Sequence, residues 1–113
     1  MSNFQIKKLT PTIGAEIIGT NIFNNLNSDI CNKIYNCLIE NKVIFFRNQK
    51  ISSEEHINFA KNFGDIDPPH PVYPNVDQYP EIVLLENDAN RPPDTDVWHT
   101  DVTFKPKPPF ASI

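Results

Sequence analysis

His99 and Asp101 form the pattern in this 113-residue chain that most directly indicates chemistry. They lie two residues apart in a run rich in β-branched and aromatic residues, which predicts a strand over 97–104. Residues i and i+2 of a strand point to the same face, so the imidazole and the carboxylate would lie side by side. Such a pair supplies two of the three ligands of the 2-His-1-carboxylate triad, which binds Fe(II) and leaves coordination positions open.

The third ligand is not part of this pattern. Within the chain only His56 and His70 remain as candidates, and both lie upstream of the pair. A His-x-Asp pair in a strand is more often a hydrogen-bonded pair than a metal site. Three features favour the metal. Trp98 and Thr100 face the other way on the strand, and a ten-residue polar loop over 87–96 precedes it. The third feature is that a further ligand could lie downstream if the chain continued.

A second candidate site lies in the proline-rich segment that contains His70 and Tyr73. Prolines stiffen this loop, so the imidazole and the phenol could be held over a pocket in which N–H donors bind a small anion. The alternative is a solvated loop histidine. His56 lies on a predicted helix, where a structural or surface role is expected. Three charged residues before strand 97–104 are expected to be turn formers, strand-entry caps or surface charges: Arg91, Asp94 and Asp96.

Hydrophobic periodicity and capping signals predict the elements that position these residues. Ser28 is expected to cap a helix that runs to about Asn41. Ser52 and Glu55 form a capping-box pattern that opens a second helix, which Gly64 ends. The apolar face of the first helix consists of Ile30, Ile34, Cys37 and Leu38. A proline-rich loop is predicted over 67–80, and the further strands are 4–9, 13–18, 43–46 and 81–86. This order indicates an α+β, mainly β architecture.

Composition excludes several classes of function. With 39% hydrophobic and 21% charged residues, the chain has the composition of one small globular domain. The net charge of -4 and the absence of a Lys/Arg cluster argue against nucleic-acid binding. The apolar runs are too short for a membrane span and no signal-peptide core is present, so a cytoplasmic protein is expected. Cys31 and Cys37, six residues apart on one helix, are expected to be reduced.

Several short segments, taken in order, carry a resemblance to a known family. They are Ile13–Gly19, Val43–Gln49, Phe63–Asp65, His70–Pro74, and Pro92–Asp94 leading into Trp98–Phe104. In this order they resemble the N-terminal part of the Fe(II)/2-oxoglutarate-dependent dioxygenases of the TauD/TfdA family. The resemblance covers nearly all of the chain but well under half of a complete family member. The ordered series is much more specific than any one segment.

The resemblance implies a double-stranded β-helix (jelly-roll) fold. Residues 1–113 would form the N-terminal portion of one TauD/TfdA-type domain, with the C-terminal remainder missing. His99 and Asp101 would be the first two iron ligands. A late histidine, and the arginine and threonine that bind 2-oxoglutarate, are expected beyond Ile113. The implied requirements are Fe(II), 2-oxoglutarate as co-substrate, and O2.

The resemblance also implies a substrate, taurine or a related small sulfonate, which is hydroxylated and then released as sulfite and an aldehyde, with succinate and CO2 formed from 2-oxoglutarate. His70 matches the position that binds the sulfonate, Tyr73 matches a tyrosine beside the substrate, and the Val102 N–H would complete the anion contact. Thr95 departs from the family, which has a taurine-binding asparagine there. Threonine is shorter and donates through a hydroxyl, so another small anion fits almost as well.

The 113-residue chain alone is expected to be inactive, because the third ligand and most strands that would enclose the site are missing. Two alternatives remain open: a non-catalytic remnant or one half of a split enzyme, and a small anion-binding module that uses His70 and Tyr73. The partner is expected to be a small sulfonate or similar anion, with neither nucleic acid nor membrane involved. The full-length form could be a homo-oligomer.

Overall fold

The computed structural model describes residues 4–19 and 22–113. These residues form two compact units, the first ending at Asp65 and the second running from Ile66 to Ile113. The first unit contains two helices and a three-stranded sheet, and the second contains a two-stranded ribbon followed by irregular chain. The described part of the chain is therefore α+β, as the sequence indicates.

The sheet of the first unit has the strand order β1-β2-β3. β1 covers Gln5–Lys8 and pairs antiparallel with β2 at Ala15–Ile18, which in turn pairs parallel with the short β3 at Ile44–Phe45. In β2, Ala15 and Ile17 are buried while the residues between and after them are not, as expected for a strand with one face on the core. The three strands predicted in this unit are confirmed, each with shorter bounds.

The first helix, α1, covers Ser28–Asn41 and buries three of the four residues of the predicted face, whereas Leu38 is half-buried. Its N-cap is Asn27 and not Ser28: the Asn27 side chain accepts a hydrogen bond from the Ile30 amide at 2.9 Å. Asparagine and serine are both good caps, and the choice between neighbouring residues depends on which of them keeps an extended backbone. The prediction was wrong by one residue at this end. The buried residues of α1 are Ile30, Ile34, Cys37 and Asn41.

The second helix, α2, covers Ser53–Lys61 and opens with the predicted capping box. The Ser52 hydroxyl accepts from the Glu55 amide at 3.1 Å, and the Glu55 carboxylate accepts from the Ser52 amide at 2.7 Å. The prediction that Gly64 ends the helix is wrong. Asn62 is the C-cap, and its side-chain amide donates back to the Asn58 and Phe59 carbonyls of the last turn.

The hydrophobic core lies in the first unit, where α1, α2 and the sheet meet. An aromatic group around Phe59 closes it, with ring centroids 4.6 Å from Phe23, 5.6 Å from Phe46 and 5.1 Å from Phe63. Both cysteines are free thiols, as expected. The core cluster consists of Ala15, Ile17, Ile22, Ile30, Ile34, Cys37 and Phe59.

The second unit begins with an antiparallel ribbon of β4 at Asn75–Val76 and β5 at Tyr79–Val83. The predicted proline-rich loop over 67–80 is therefore shorter, and the predicted strand over 81–86 begins and ends earlier. Pro80 is tolerated within β5, because among the described residues this two-stranded ribbon has no further neighbour to which a Pro80 N–H would have to donate.

The predicted strand over 97–104 is absent from the structure. Residues 101–104 form a turn, closed by a hydrogen bond from the Lys105 amide to the Val102 carbonyl at 3.2 Å. Val102 has φ 53°, a left-handed conformation that a β-branched residue rarely adopts and that no strand can include. The physical reason for the error is that a strand needs a neighbour, and no described strand pairs with this segment.

Candidate metal and anion site

His99 and Asp101 are in contact although their segment is not a strand. The His99 Nε2 atom lies 3.2 Å from the Asp101 Oδ1 atom. Both side chains are solvent-accessible, with 51% of His99 and 76% of Asp101 exposed, so the pair is open to a ligand from solvent. The sequence prediction that this imidazole and this carboxylate lie side by side is therefore confirmed, while the reason given for it, a shared strand face, is not.

A backbone contact decides which nitrogen of His99 is available. His99 Nδ1 lies 2.8 Å from the Val97 carbonyl oxygen, which can only accept, so Nδ1 carries the proton and donates it. In the neutral imidazole Nε2 then has a lone pair and no proton. A metal-binding histidine commonly has its other ring nitrogen fixed by such a contact to a backbone carbonyl. With Nδ1 held by Val97, Nε2 is the nitrogen of His99 that could bind a metal ion.

The His99 Nε2 and Asp101 Oδ1 atoms fit a metal ion by their chemistry and by their separation. An imidazole lone pair and a carboxylate oxygen repel each other at 3.2 Å unless a cation or a proton lies near both. Adjacent ligands about 2.1 Å from an octahedral ion are about 3 Å apart, which is close to the observed separation. The alternative is a protonated His99 paired with Asp101, and that arrangement gives the same distance without a metal.

Within residues 4–19 and 22–113, no group of three His, Cys, Asp or Glu side chains could hold a metal ion. Neither upstream histidine that the sequence offers as a third ligand therefore joins the pair. His56 lies within α2 in the first unit, and His70 makes contacts of its own in the loop before β4. Of the candidate ligands that the sequence offers, the described residues bring only His99 and Asp101 together.

His70 is held by its own loop in one orientation. Its Nδ1 atom accepts hydrogen bonds from the Val72 and Tyr73 amides, both at 3.1 Å, so Nδ1 carries no proton. The proton of the neutral ring therefore resides on Nε2, which can donate to an acceptor such as an anion. The Tyr73 ring packs beside the imidazole, with the centroids 4.7 Å apart. The loop thus presents a fixed N–H donor, as the interpretation of His70 as an anion contact requires.

Asp94 completes this arrangement, and the sequence did not reveal it. The Tyr73 hydroxyl lies 2.9 and 3.1 Å from the two carboxylate oxygens of Asp94, to which it donates. This hydrogen bond raises the pKa of Tyr73, because the phenolate would lose the bond and would face a negative charge. Asp94 was predicted to be only a turn former or a strand-entry cap. The two residues are 21 positions apart, and no local spacing rule connects them.

A second polar contact joins the same two stretches of chain. Lys105 Nζ lies 3.3 Å from Asp67 Oδ2, which links the start of the loop that contains His70 to the residues after the His99–Asp101 pair. Thr95 lies exposed next to Asp94, and Val102 lies half-buried in the turn after Asp101. The structure thus connects the His70 loop to the segment of His99 and Asp101 through Asp94 and through Lys105.

The first unit contains a separate cleft of about 330 Å³, lined by Glu16–Gly19 and Arg47–Gln49. Its charged groups are paired with each other, since Arg47 Nε lies 3.8 Å from Glu16 Oε1. The Arg47 guanidinium also lies over the Phe45 ring at 4.9 Å. None of the residues predicted to act on a substrate lines this cleft.

An exposed histidine–carboxylate pair could hold a metal ion, and a fixed imidazole N–H donor could contact a small anion. The family model described as "Taurine catabolism dioxygenase TauD, TfdA family" matches residues 5–113, and the chain belongs to this family. The resemblance seen in the sequence motifs is confirmed. The family is one of α-ketoglutarate-dependent dioxygenases, in which 2-oxoglutarate and O2 are consumed together.

Within this family, the chain is similar to proteins with names that refer to organosulfur substrates. The chain is 39% identical over 110 residues to an alkylsulfatase of Acinetobacter baylyi, a match that covers 96% of this chain and 34% of that protein. It is 38% identical over 102 residues to an alpha-ketoglutarate-dependent sulfate ester dioxygenase of Pseudomonas putida, covering 89% of this chain and 33% of that protein. A taurine dioxygenase structure from Burkholderia xenovorans superposes with a TM-score of 0.63 at 35% identity, covering 68% of this chain and 28% of that one.

The chain spans about a third of the length of the curated relatives it matches. Among the described residues, neither helix has the length and apolar character needed to cross a membrane.

Proposed function

We propose that this chain supplies the first two metal ligands and the anion contacts of an Fe(II)/2-oxoglutarate-dependent dioxygenase that acts on a small organosulfur anion. The observation that carries the proposal is the His99–Asp101 pair, in which the imidazole Nε2 lies 3.2 Å from a carboxylate oxygen while Nδ1 is held by the Val97 carbonyl. The third ligand, the 2-oxoglutarate contacts and the rest of a jelly-roll domain would come from residues outside these 113. O2 would supply the oxidising power for hydroxylation, with Fe(II) as the metal that activates it and 2-oxoglutarate as the co-substrate that is oxidised alongside.

Alkyl sulfate esters are the substrate class that the relatives favour. The alkylsulfatase and the sulfate ester dioxygenase are named for sulfate ester chemistry, and their matches cover 96% and 89% of this chain. A sulfate ester and a sulfonate present the same three acceptor oxygens, to which the His70 Nε2–H and the Val102 N–H can donate. Tyr73 would line the same site. Taurine is the second candidate, favoured by the similarity to the taurine dioxygenase structure and disfavoured by Thr95, whose short side chain cannot reproduce an asparagine contact.

An alkyl sulfate would be converted in two stages, hydroxylation and then cleavage. The carbon that bears the sulfate oxygen is hydroxylated with one atom of O2, while the other atom enters succinate as 2-oxoglutarate loses CO2. The hydroxylated ester then breaks its C–O bond, which gives an aldehyde, sulfate and a proton. In this scheme His99 and Asp101 hold the metal, and His70 and Val102 hold the anionic end so that the carbon lies near the metal. Taurine would give sulfite and an aldehyde instead.

A chimera tests this proposal. Residues 1–113 would replace the corresponding N-terminal third of the Acinetobacter baylyi alkylsulfatase, which supplies the remaining two thirds. With Fe(II), 2-oxoglutarate and O2, we expect succinate and sulfate from hexyl sulfate, and little sulfite from taurine. Asp101→Ala should lower succinate formation by more than about 100-fold, since removal of a ligand exceeds the effect of losing a supporting contact. Thr95→Asn is the matched variant for substrate choice and should raise the taurine rate relative to hexyl sulfate.

The outcome separates the alternatives. A folded chimera that binds hexyl sulfate but forms no succinate would contradict the dioxygenase proposal and favour a non-catalytic remnant. Activity restored by mixing separately purified residues 1–113 with the remaining two thirds would favour a split enzyme. Binding of hexyl sulfate by the isolated chain without Fe(II), unaffected by Asp101→Ala, would favour the anion-binding module.

A further inference from the structure

We propose that Asp94 is a positioning residue, which holds Tyr73 and through it keeps His70 directed at the substrate anion. The inference rests on the proposed function for the identity of that anion, and on the described contacts for everything else. His70 and Tyr73 are the residues predicted to touch substrate, whereas both side-chain hydrogen bonds described for Asp94 come from the Tyr73 hydroxyl, through which it would act.

The first step is the anchoring of Tyr73. Its hydroxyl donates to a carboxylate whose two oxygens lie 2.9 and 3.1 Å away, and a hydrogen bond to a charged acceptor is stronger than one between neutral groups. Tyr73 is only half-buried, and in the second unit no described residue is buried. Packing against a core therefore cannot hold this ring, and the contact with Asp94 is its most specific restraint.

The second step is the transfer of this restraint to His70. The Tyr73 ring lies against the imidazole with centroids 4.7 Å apart and an interplanar angle of 38°, and the Tyr73 amide is one of the two donors to His70 Nδ1. Movement of Tyr73 would disturb the ring contact and one of these two hydrogen bonds. His70 would then rotate, and either nitrogen could carry the proton. A fixed Tyr73 keeps the proton on Nε2, where a sulfate oxygen can accept it.

The consequence for the substrate follows from the direction of the Tyr73 hydroxyl hydrogen. That hydrogen is donated to Asp94, so the phenol does not donate it to a ligand. The anion is therefore bound by His70 Nε2–H and by backbone N–H groups, with Tyr73 as a wall of the site.

The test uses the 113-residue chain with 15N-labelled histidines, whose two ring-nitrogen shifts report the tautomer of His70 at neutral pH. In the wild type we expect one tautomer, with the proton on Nε2. Asp94→Asn should bring the two His70 nitrogen shifts closer by at least about half of their difference. Asp96→Asn is the matched control, since it removes the same charge two residues along the loop, and should leave them unchanged.

A second variant keeps the test decisive if Asp94→Asn perturbs the fold. Tyr73→Phe removes the hydroxyl and keeps the ring, and should change the His70 shifts by about as much as Asp94→Asn. The double variant should do no more than either single one, because both remove the same hydrogen bond. Unchanged His70 shifts in Asp94→Asn, or additive changes in the double variant, would overturn the proposal.

Methyl sulfate serves as the probe that separates this inference from the proposed function. Added to the wild-type chain, it should shift the His70 Nε2 signal, and Asp94→Asn should raise the concentration needed by at least about fivefold. If Asp94→Asn alters the His70 tautomer but methyl sulfate shifts nothing in the wild type, the positioning role stands and the anion contact proposed for His70 fails.

Discussion

The two units of this chain differ in how their side chains are held. Every buried residue in the described ranges lies in the first unit, where two helices and a sheet enclose an aliphatic and aromatic core. None of the described residues from 66 to 113 is buried, and Trp98 is fully exposed. Yet the residues proposed to contact metal or substrate lie in this second unit. The residues that could do chemistry are thus separate from the residues that supply hydrophobic stabilisation.

This difference shows which forces act in each unit. Burial of apolar surface stabilises the first unit at roughly 25 cal/mol per Å². The second unit is held by a short ribbon and by polar contacts such as Tyr73–Asp94 and Lys105–Asp67, which each contribute little when exposed. We therefore expect the second unit to open locally at a lower free energy than the first.

The largest expected contrast compares a core residue with an exposed one. Ile17, 1% exposed, lies in the middle of the core, and Ile17→Ala should lower the free energy of unfolding by about 2–5 kcal/mol. Trp98→Ala, which removes a larger but exposed side chain, should change it by less than about 0.5 kcal/mol. Urea unfolding followed by far-ultraviolet circular dichroism measures both. Equal effects would mean that Trp98 is covered in solution and that the contrast between the units is false.

Loss of a capping contact in the first unit should have the next largest effect on the free energy of unfolding. Ser52→Ala removes the hydroxyl that accepts from the Glu55 amide, and should destabilise the first unit by about 1 kcal/mol. Ser53→Ala is the control, because it removes a hydroxyl one residue further on without touching the capping box. The same urea titration measures the difference. If both variants lose the same amount, the capping box does not contribute as the hydrogen bonds indicate.

The first unit could be predicted from the sequence because its signals are local. The face of α1 follows from a spacing of three and four residues, and the capping box at Ser52 from a spacing of three. Errors there are small: Asn27 replaces Ser28 as the N-cap, and Gly64 does not end α2. These choices depend on the backbone angles of neighbouring residues, which the residue types alone do not determine.

In the second unit the sequence located the residues but not their arrangement. A strand over 97–104 requires a neighbouring strand, which the residue pattern of this segment does not reveal. In the structure no described strand pairs with it, and the chain turns at Val102. The His99–Asp101 contact was expected and is present, whereas the role of Val97 in fixing the His99 tautomer depends on a backbone carbonyl that no motif encodes. The roles of these residues toward metal and substrate stay predictions.

The Lys105–Asp67 pair provides a smaller effect, confined to the second unit. Lys105→Gln should lower the free energy of local opening of residues 67–105 by less than about 1 kcal/mol, because both side chains are substantially exposed. The difference should disappear in 1 M salt, where the screening length is about 3 Å. Amide hydrogen exchange measures it, with Lys107→Gln as a control of equal charge. An unchanged difference in 1 M salt would show that Lys105 acts through packing and not through its charge.

The Tyr73–Asp94 hydrogen bond should give the smallest effect, visible only at high pH. Its raised pKa means that folded Tyr73 holds its proton more tightly than the unfolded chain does, so the stabilisation is complete below the ordinary value of about 10. It is lost as the pH rises through the higher folded value. Titration of the Tyr73 ring-carbon signals measures that value, and Asp94→Asn should move the midpoint down toward the ordinary one. This carboxylate lies on exposed chain and not in a core, so the pKa shift of Tyr73 also distinguishes the second unit from the first. A midpoint unaffected by Asp94→Asn would mean that polar contacts of this kind do not hold the second unit together.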